Sequence, residues 1–192
     1  MNLPNLLSLL RIILTPLFII FLLSDDMLLA LIIFAVAAIT DAYDGHLARK
    51  YNQITSQGKF LDPLADKILV LSAFFSFAFI GIIDFWMVGI ITFRDMFITG
   101  LRWIISNKGF EFVTSELSKY KTAFQLIIII LTLIFLTIEA FNMESFIPTI
   151  DIIKNYKIIY ILTLFTAIFT AYTGIIYLYA NRFVIKDFIR NN

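Results

Sequence analysis

The chain has 192 residues, 60% of them hydrophobic, and a formal net charge of +1. Soluble domains are about 45–50% apolar, and a core this small cannot hide the excess, so a water-soluble globule is excluded and a bilayer is the expected sink. The near-zero net charge gives no reason to expect nucleic acid or another anionic polymer as partner. With no cysteine and one histidine, His46, disulfides, thiolate catalysis and multi-histidine metal sites fall away, leaving carboxylates, basic residues, hydroxyls or bound cations to carry chemistry.

A bilayer-spanning helix needs about 20 mostly apolar residues, and six segments meet that length. The first runs from Leu6 to Leu23 and ends at Ser24-Asp25-Asp26. It lacks a basic stretch before it and a small-residue cleavage pattern after it, so it is expected to stay in the mature protein. The second runs from Met27 to Arg49. The third runs from Gly58 to Ile83, with Asp84 marking a short turn, and the fourth from Phe85 to Ile105. After a polar stretch, Ser106 to Ser118, come the fifth, Lys119 to Ala140, and the sixth, Tyr156 to Ala180. The charged tail, with Phe183, Val184, Ile185, Phe188 and Ile189 among its charges, reads as a short amphipathic surface helix or a disordered end.

Arg49, Lys50 and Lys59 flank the second connection, Arg102, Lys108, Lys119 and Lys121 the fourth, and Arg182, Lys186 and Arg190 the tail. Only Lys154 and Lys157 fall on the other side, beside Glu139, Glu144 and Asp151. The positive-inside rule then places both termini in the cytoplasm. The expected fold is an all-α integral membrane protein, a six-transmembrane-helix bundle forming one domain over residues 1–192, with no internal repeat or linker.

Ionised side chains at membrane depth cost a few kcal/mol or more and usually mark function. The second segment carries Asp41, Asp44 and Arg49, and the third Asp62, Asp66 and Lys67, all in the halves that face the cytoplasm. Spacings of three and four put Asp41 with Asp44, and Asp62 with Asp66, on shared helix faces. The short connection from Arg49 to Gly58 makes the two helices antiparallel neighbours, so four carboxylates are expected at one cytoplasm-facing pocket. Such a group repels itself, and a hard divalent cation, Mg²⁺, Mn²⁺ or Ca²⁺, relieves the conflict. Two metals would suit phosphoryl transfer. Gly45 and Ala48 leave room for a close approach. The competing structural reading pairs these charges with Arg49, Lys59 and Lys67 as buried salt bridges, which are weak sources of stability. Lys67 also reads as a snorkelling lysine.

The stretch Asp41-Ala-Tyr-Asp44-Gly45-His-Leu-Ala48-Arg49, eight residues, then Gly58-Lys-Phe-Leu-Asp62-Pro-Leu-Ala-Asp66 resembles the D-x2-D-G-x2-A-R-x8-G-x3-D-x3-D signature of the CDP-alcohol phosphatidyltransferases, matching at every fixed position. The resemblance implies a six-helix membrane enzyme, binding of two divalent ions, Mg²⁺ or Mn²⁺, and a homodimer. Asp41, Asp44, Asp62 and Asp66 would form the metal site, with Asp66 also the general base. Gly45, Ala48, Arg49 and Gly58 would serve the CDP-diacylglycerol site. The implied reaction is attack by an alcohol on the lipid-side phosphorus with loss of CMP.

Asn2-Leu-Pro4-Asn5 through Arg11, Gln57 through Lys67, Phe93-Arg94-Asp95 through Arg102, and Ser118-Lys119-Tyr120-Lys121-Thr122-Ala123 are similar to the phosphatidylglycerophosphate synthase subgroup. The chain departs from it at Asp95, where glutamate is usual, and at Ser118, where glycine is usual. That subgroup's acceptor is glycerol 3-phosphate, and Arg94, Lys119 and Lys121 are the candidates to hold its phosphate. The bland alternative has Lys119, Lys121 and Arg102 meeting anionic headgroups. His46 reads either as a proton carrier or as a satisfied polar neighbour. Other acceptors (phosphatidylglycerol, serine, inositol phosphate) keep the same chemistry. A divalent-cation transporter is the reading from another class, and one-sided clustering of the carboxylates weighs against it.

Overall fold

The computed structural model describes the backbone of residues 3–51, 58–106, 108, 116–142 and 144–190, and side chains within 9–40, 67–105 and 119–142 and through most of 144–190. Among the described residues the chain is helical, without strands. Its helices are α1 (Leu3–Leu23), α2 (Met27–Tyr51), α3 (Gly58–Phe79), α4 (Phe85–Ser106), α5 (Glu116–Ala140), α6 (Ile147–Asn155), α7 (Ile158–Ala180) and α8 (Arg182–Arg190), with a 3₁₀ turn at Glu144–Phe146 before α6. The sequence did not anticipate α6. Its Pro148 sits at the first turn, where a missing N–H costs nothing.

Three sharp reversals are set by local chemistry. Asp25 takes a left-handed φ of 62°, and the Asp26 N–H then reaches the Phe21 carbonyl at 3.0 Å. Asp26 in turn starts α2, its Oδ1 accepting from the Leu29 N–H at 3.4 Å. After α3, Gly81 at φ 80° lets Gly81 N–H bond the Ala78 carbonyl and Ile82 N–H the Phe77 carbonyl, a Schellman closure. This stops α3 short of the expected Ile83. Before α7, Lys157 takes φ 49°, which moves that helix's start past the expected Tyr156. Asp84 then fastens the α3–α4 turn, its Oδ2 accepting from Trp86 Nε1 at 3.0 Å and from the Tyr160 hydroxyl of α7 at 2.7 Å.

The core runs along α1, α2 and α3 and on to α4 and α5. Phe18 and Phe34 meet with ring centroids 5.4 Å apart, among buried Leu22, Ala30, Ala37, Phe74, Phe77, Met87, Ile91, Ile129 and Leu133. The buried face of α7 is unlike this: Thr163, Thr166, Ala167, Thr170, Thr173, Gly174 and Tyr177 recur at helical spacing. Small residues let helices approach closely where lipid offers no hydrophobic drive to associate. Thr163 and Thr166 return their hydroxyl protons to their own helix, on the Ile159 and Leu162 carbonyls.

The outside of the bundle is apolar, including Phe79, Phe93, Ile168 and Ile175, each more than half exposed. So continuous an apolar exterior calls for lipid. Among the described residues, two helical stretches, Lys119–Ala140 and Ile158–Ala180, are long and apolar enough to cross a membrane, with mean hydropathy 2.4 and 1.9.

Candidate active site

The four signature carboxylates enter through their backbones. Asp41 and Asp44 lie in the second half of α2, with Gly45, His46, Ala48 and Arg49 following on the same helix, and Gly58, Asp62 and Asp66 lie in the first turns of α3. The two helices touch only slightly, and each packs more extensively on α1. The side chains of these signature residues lie outside the described ones, as does any grouping of them into a metal site.

Next to this pair, at the level where α3 begins, the described residues hold a buried ionic cluster. Asp95 of α4 is 3% exposed and Lys121 of α5 is 2% exposed. Lys121 Nζ donates to both Asp95 oxygens at 2.6 Å. Arg94 Nη1 reaches Asp95 Oδ1 at 3.0 Å, and Lys67 of α3 lies within Coulombic range of both Asp95 and Lys121. Two cations, Arg94 and Lys121, therefore share the Asp95 carboxylate, with Lys67 in Coulombic range. Arg94 has donors to spare: its Nε and Nη2 are buried without a hydrogen-bond partner among the described residues. Room for Arg94 comes from α7, where a Cβ on Gly174 would stand 2.9 Å from Arg94 Cγ. Below it Arg102 Nε donates to the Tyr177 hydroxyl at 3.4 Å. A buried ionic cluster with unused guanidinium donors suits an anion, and a phosphate above all.

The family model described as CDP-alcohol phosphatidyltransferase matches residues 1–172. The chain belongs to that family. Several curated relatives resemble this CDP-alcohol phosphatidyltransferase. The Bacillus subtilis protein named CDP-diacylglycerol–glycerol-3-phosphate 3-phosphatidyltransferase is 39% identical over 141 residues, 66% of this chain and 73% of the relative. A probable phosphatidylglycerophosphate synthase of Mycobacterium tuberculosis is 39% identical over 114 residues, 56% of this chain and 54% of its own. A probable cardiolipin synthase (CMP-forming) of Drosophila melanogaster is 37% identical over 106 residues, covering 55% of this chain and 33% of its own. Apart from the Bacillus subtilis protein, these matches span about half or less of the relative's length.

Of the three candidate phosphate-holding cations, the structure brings Arg94 and Lys121 together on Asp95 and leaves Lys119 exposed. Two residues are about 200° around a helix, so Lys119 and Lys121 cannot share a face. Asp95, Gly174 and the fully buried Arg11 were not among the sequence-level site residues. The signal for Asp95 was its position beside Arg94 at membrane depth.

Proposed function

We propose that this CDP-alcohol phosphatidyltransferase transfers the phosphatidyl group of CDP-diacylglycerol to glycerol 3-phosphate, giving phosphatidylglycerophosphate and CMP in phospholipid synthesis. The observation that carries the choice of acceptor is the buried Arg94, with Nε and Nη2 unspent, beside Lys121 and Lys67. A phosphorylated acceptor can use those buried cationic donors; serine does not need them. The names of the Bacillus subtilis and Mycobacterium tuberculosis relatives support the same reading.

In this reading α1, α2, α3, α4, α5 and α7, each of 21 to 25 residues, are six spans of the cell membrane. Both termini and the active site face the cytoplasm, and two copies form a homodimer. The donor set suits a hard cation, since four carboxylates and no sulfur stand on two helices in contact. Asp41, Asp44, Asp62 and Asp66 would hold one or two Mg²⁺ or Mn²⁺ ions. When bound, such ions neutralise charge on the reacting phosphates. Gly45, Ala48, Arg49 and Gly58 receive the cytidine nucleotide. Arg94 and Lys121 orient the acceptor phosphate, with Lys119 guiding it at the mouth. Asp66 takes the proton of the acceptor hydroxyl as its oxygen bonds to the lipid-side phosphorus. The bond from that phosphorus to the CMP oxygen breaks, and CMP leaves.

The test is CMP release by the purified protein with CDP-diacylglycerol, a divalent cation and each acceptor in turn, with Asp66→Asn as control. Release with glycerol 3-phosphate alone, lost in the variant, supports the reading. The cardiolipin synthase-like relative makes phosphatidylglycerol the acceptor to compare, and release with it alone would move the chain to that chemistry. An unchanged glycerol 3-phosphate KM in Arg94→Ala would remove Arg94 from the acceptor site.

A further inference from the structure

Arg11 is fully buried in an otherwise apolar stretch of α1. A guanidinium there is costly unless an opposite charge answers it. The described carboxylates are poor candidates. Asp25, Asp26, Asp84, Glu139, Glu144 and Asp151 stand at or beyond the far ends of the long helices, and from Arg11 to the α1–α2 turn is about 20 Å of helix. Asp187 is on α8. Asp95 already carries Lys121 and Arg94.

The α1–α2 seam shows where the answer lies. On α1 the buried positions are Arg11, Thr15, Phe18 and Leu22, and on α2 they are Ala30, Phe34 and Ala37. Both sets alternate steps of four and three, the spacing of helices that pack along a continuous seam. The register is pinned by the Phe18–Phe34 ring contact at 5.4 Å. Because the helices are antiparallel, two turns back from Phe18 is Arg11, and two turns on from Phe34 is position 41. Continued from Ala37, the α2 steps of four, three and four fall on Asp41, Asp44 and Ala48, three positions of the family signature.

We propose that Arg11 is a positioning residue for the metal-binding carboxylates, its charge coupled to Asp41 across the α1–α2 seam. This gives α1, which lies outside the signature, a part in setting up the site: it carries a buried positive charge on the seam whose continued α2 register falls on position 41. The consequence for catalysis rests on the proposed role of Asp41. The coupling itself does not.

The experiment is a double-mutant cycle on thermal unfolding in detergent with a chelator present, using Arg11→Met, Asp41→Asn and the double variant. Arg11→Met should lower the Tm by about 10 °C, the size expected for breaking a buried charge pair in a chain of this length. The double variant should lose clearly less than the sum of the two single losses. Arg11→Lys, which keeps the charge, should retain more than half of the Tm that Arg11→Met loses. Added Mn²⁺ should raise the Tm of Arg11→Met more than that of the unaltered protein, a response that lost packing alone would not give. Additive losses would overturn the proposal, and so would coupling to Asp66→Asn in place of Asp41→Asn. If Arg11→Met does not fold, the cycle is run with Arg11→Gln, which removes the charge and keeps a polar side chain, and additive losses there would overturn the proposal equally. Failure of CMP release by the unaltered protein would refute the proposed function and leave the cycle's outcome standing.

Discussion

Removing Asp95 and removing Lys121 should differ sharply, although the two form one ion pair. Asp95 is the shared anion. Lys121 donates to both of its oxygens at 2.6 Å and Arg94 to one at 3.0 Å. The side chains of Lys121 and Asp95 are 3% and 4% exposed. Asp95→Asn therefore leaves two buried cations facing an amide, with Lys67 adding to their repulsion. Uncompensated buried charge costs about 3–5 kcal/mol, or about 10 °C in Tm for a chain of this size. Lys121→Met leaves Asp95 still paired with Arg94, so its loss should be less than half as large. The double variant, with Arg94 now facing a neutral amide, should recover part of the Asp95→Asn loss. Thermal unfolding of the three variants in detergent, scored against the parent, checks the order. If Lys121→Met were as damaging as Asp95→Asn, the cluster would not be a surplus of cations held by one anion, and the anion-site argument would fall with it.

Gly174→Ala puts a methyl 2.9 Å from Arg94 Cγ, and the arginine must move. Overpacking of this kind costs about 1–3 kcal/mol, and we expect a raised KM for glycerol 3-phosphate with the CDP-diacylglycerol KM unchanged. Equal changes in both constants would count against a specific effect on Arg94. Gly81 and Gly89 both have open space where a Cβ would go, yet only Gly81 has positive φ. Gly81→Ala should cost about 1–2 kcal/mol, a fall of about 4 °C in Tm, whereas Gly89→Ala, inside α4, should hold or raise the Tm. Equal losses would show that the α3–α4 turn is not closed by backbone conformation.

The long helices were readable because their signal is bulk apolarity sustained over about 20 residues. Leu23 and Met27 bound α1 and α2 as expected. The misses have local causes. Helix α6 is nine residues long, too short for a ruler set to bilayer thickness. The end of α3 moved to Phe79 because the Gly81 closure acts before the apolar run is spent. In the site, the signature aspartates could be found from spacing alone, since their meaning is written along two neighbouring helices. The Asp95–Lys121 pair joins residues 26 apart in the chain, and Gly174 meets Arg94 from α7. Such relations depend on how helices are arranged around one another, which local spacing does not encode. Lys119 illustrates the same limit: a basic cluster in sequence divides into one buried and one exposed residue once it is wound onto a helix.

The distribution of charge through the bundle also bears on enzyme versus transporter. A translocating cation needs ligands in succession from one face to the other. Among the described residues, the buried polar groups between Asp95 and the far end include the amide of Gln125 as well as hydroxyls; of the hydroxyls, those of Thr132, Thr137, Thr163 and Thr166 each donate to a backbone carbonyl of their own helix. Their protons are used internally, and no carboxylate is buried along that path. At the far end Glu139 is paired with Lys154, and Asp84 is committed to Trp86 and Tyr160. Those charges tie turns together at the bundle's edge. Among the described residues, the buried charges lie between the middle of the bundle and the end that carries the signature. One-sided burial of this kind suits a site that meets soluble substrates from one face and lipid from the side, which is what joining a lipid to a phosphorylated alcohol demands.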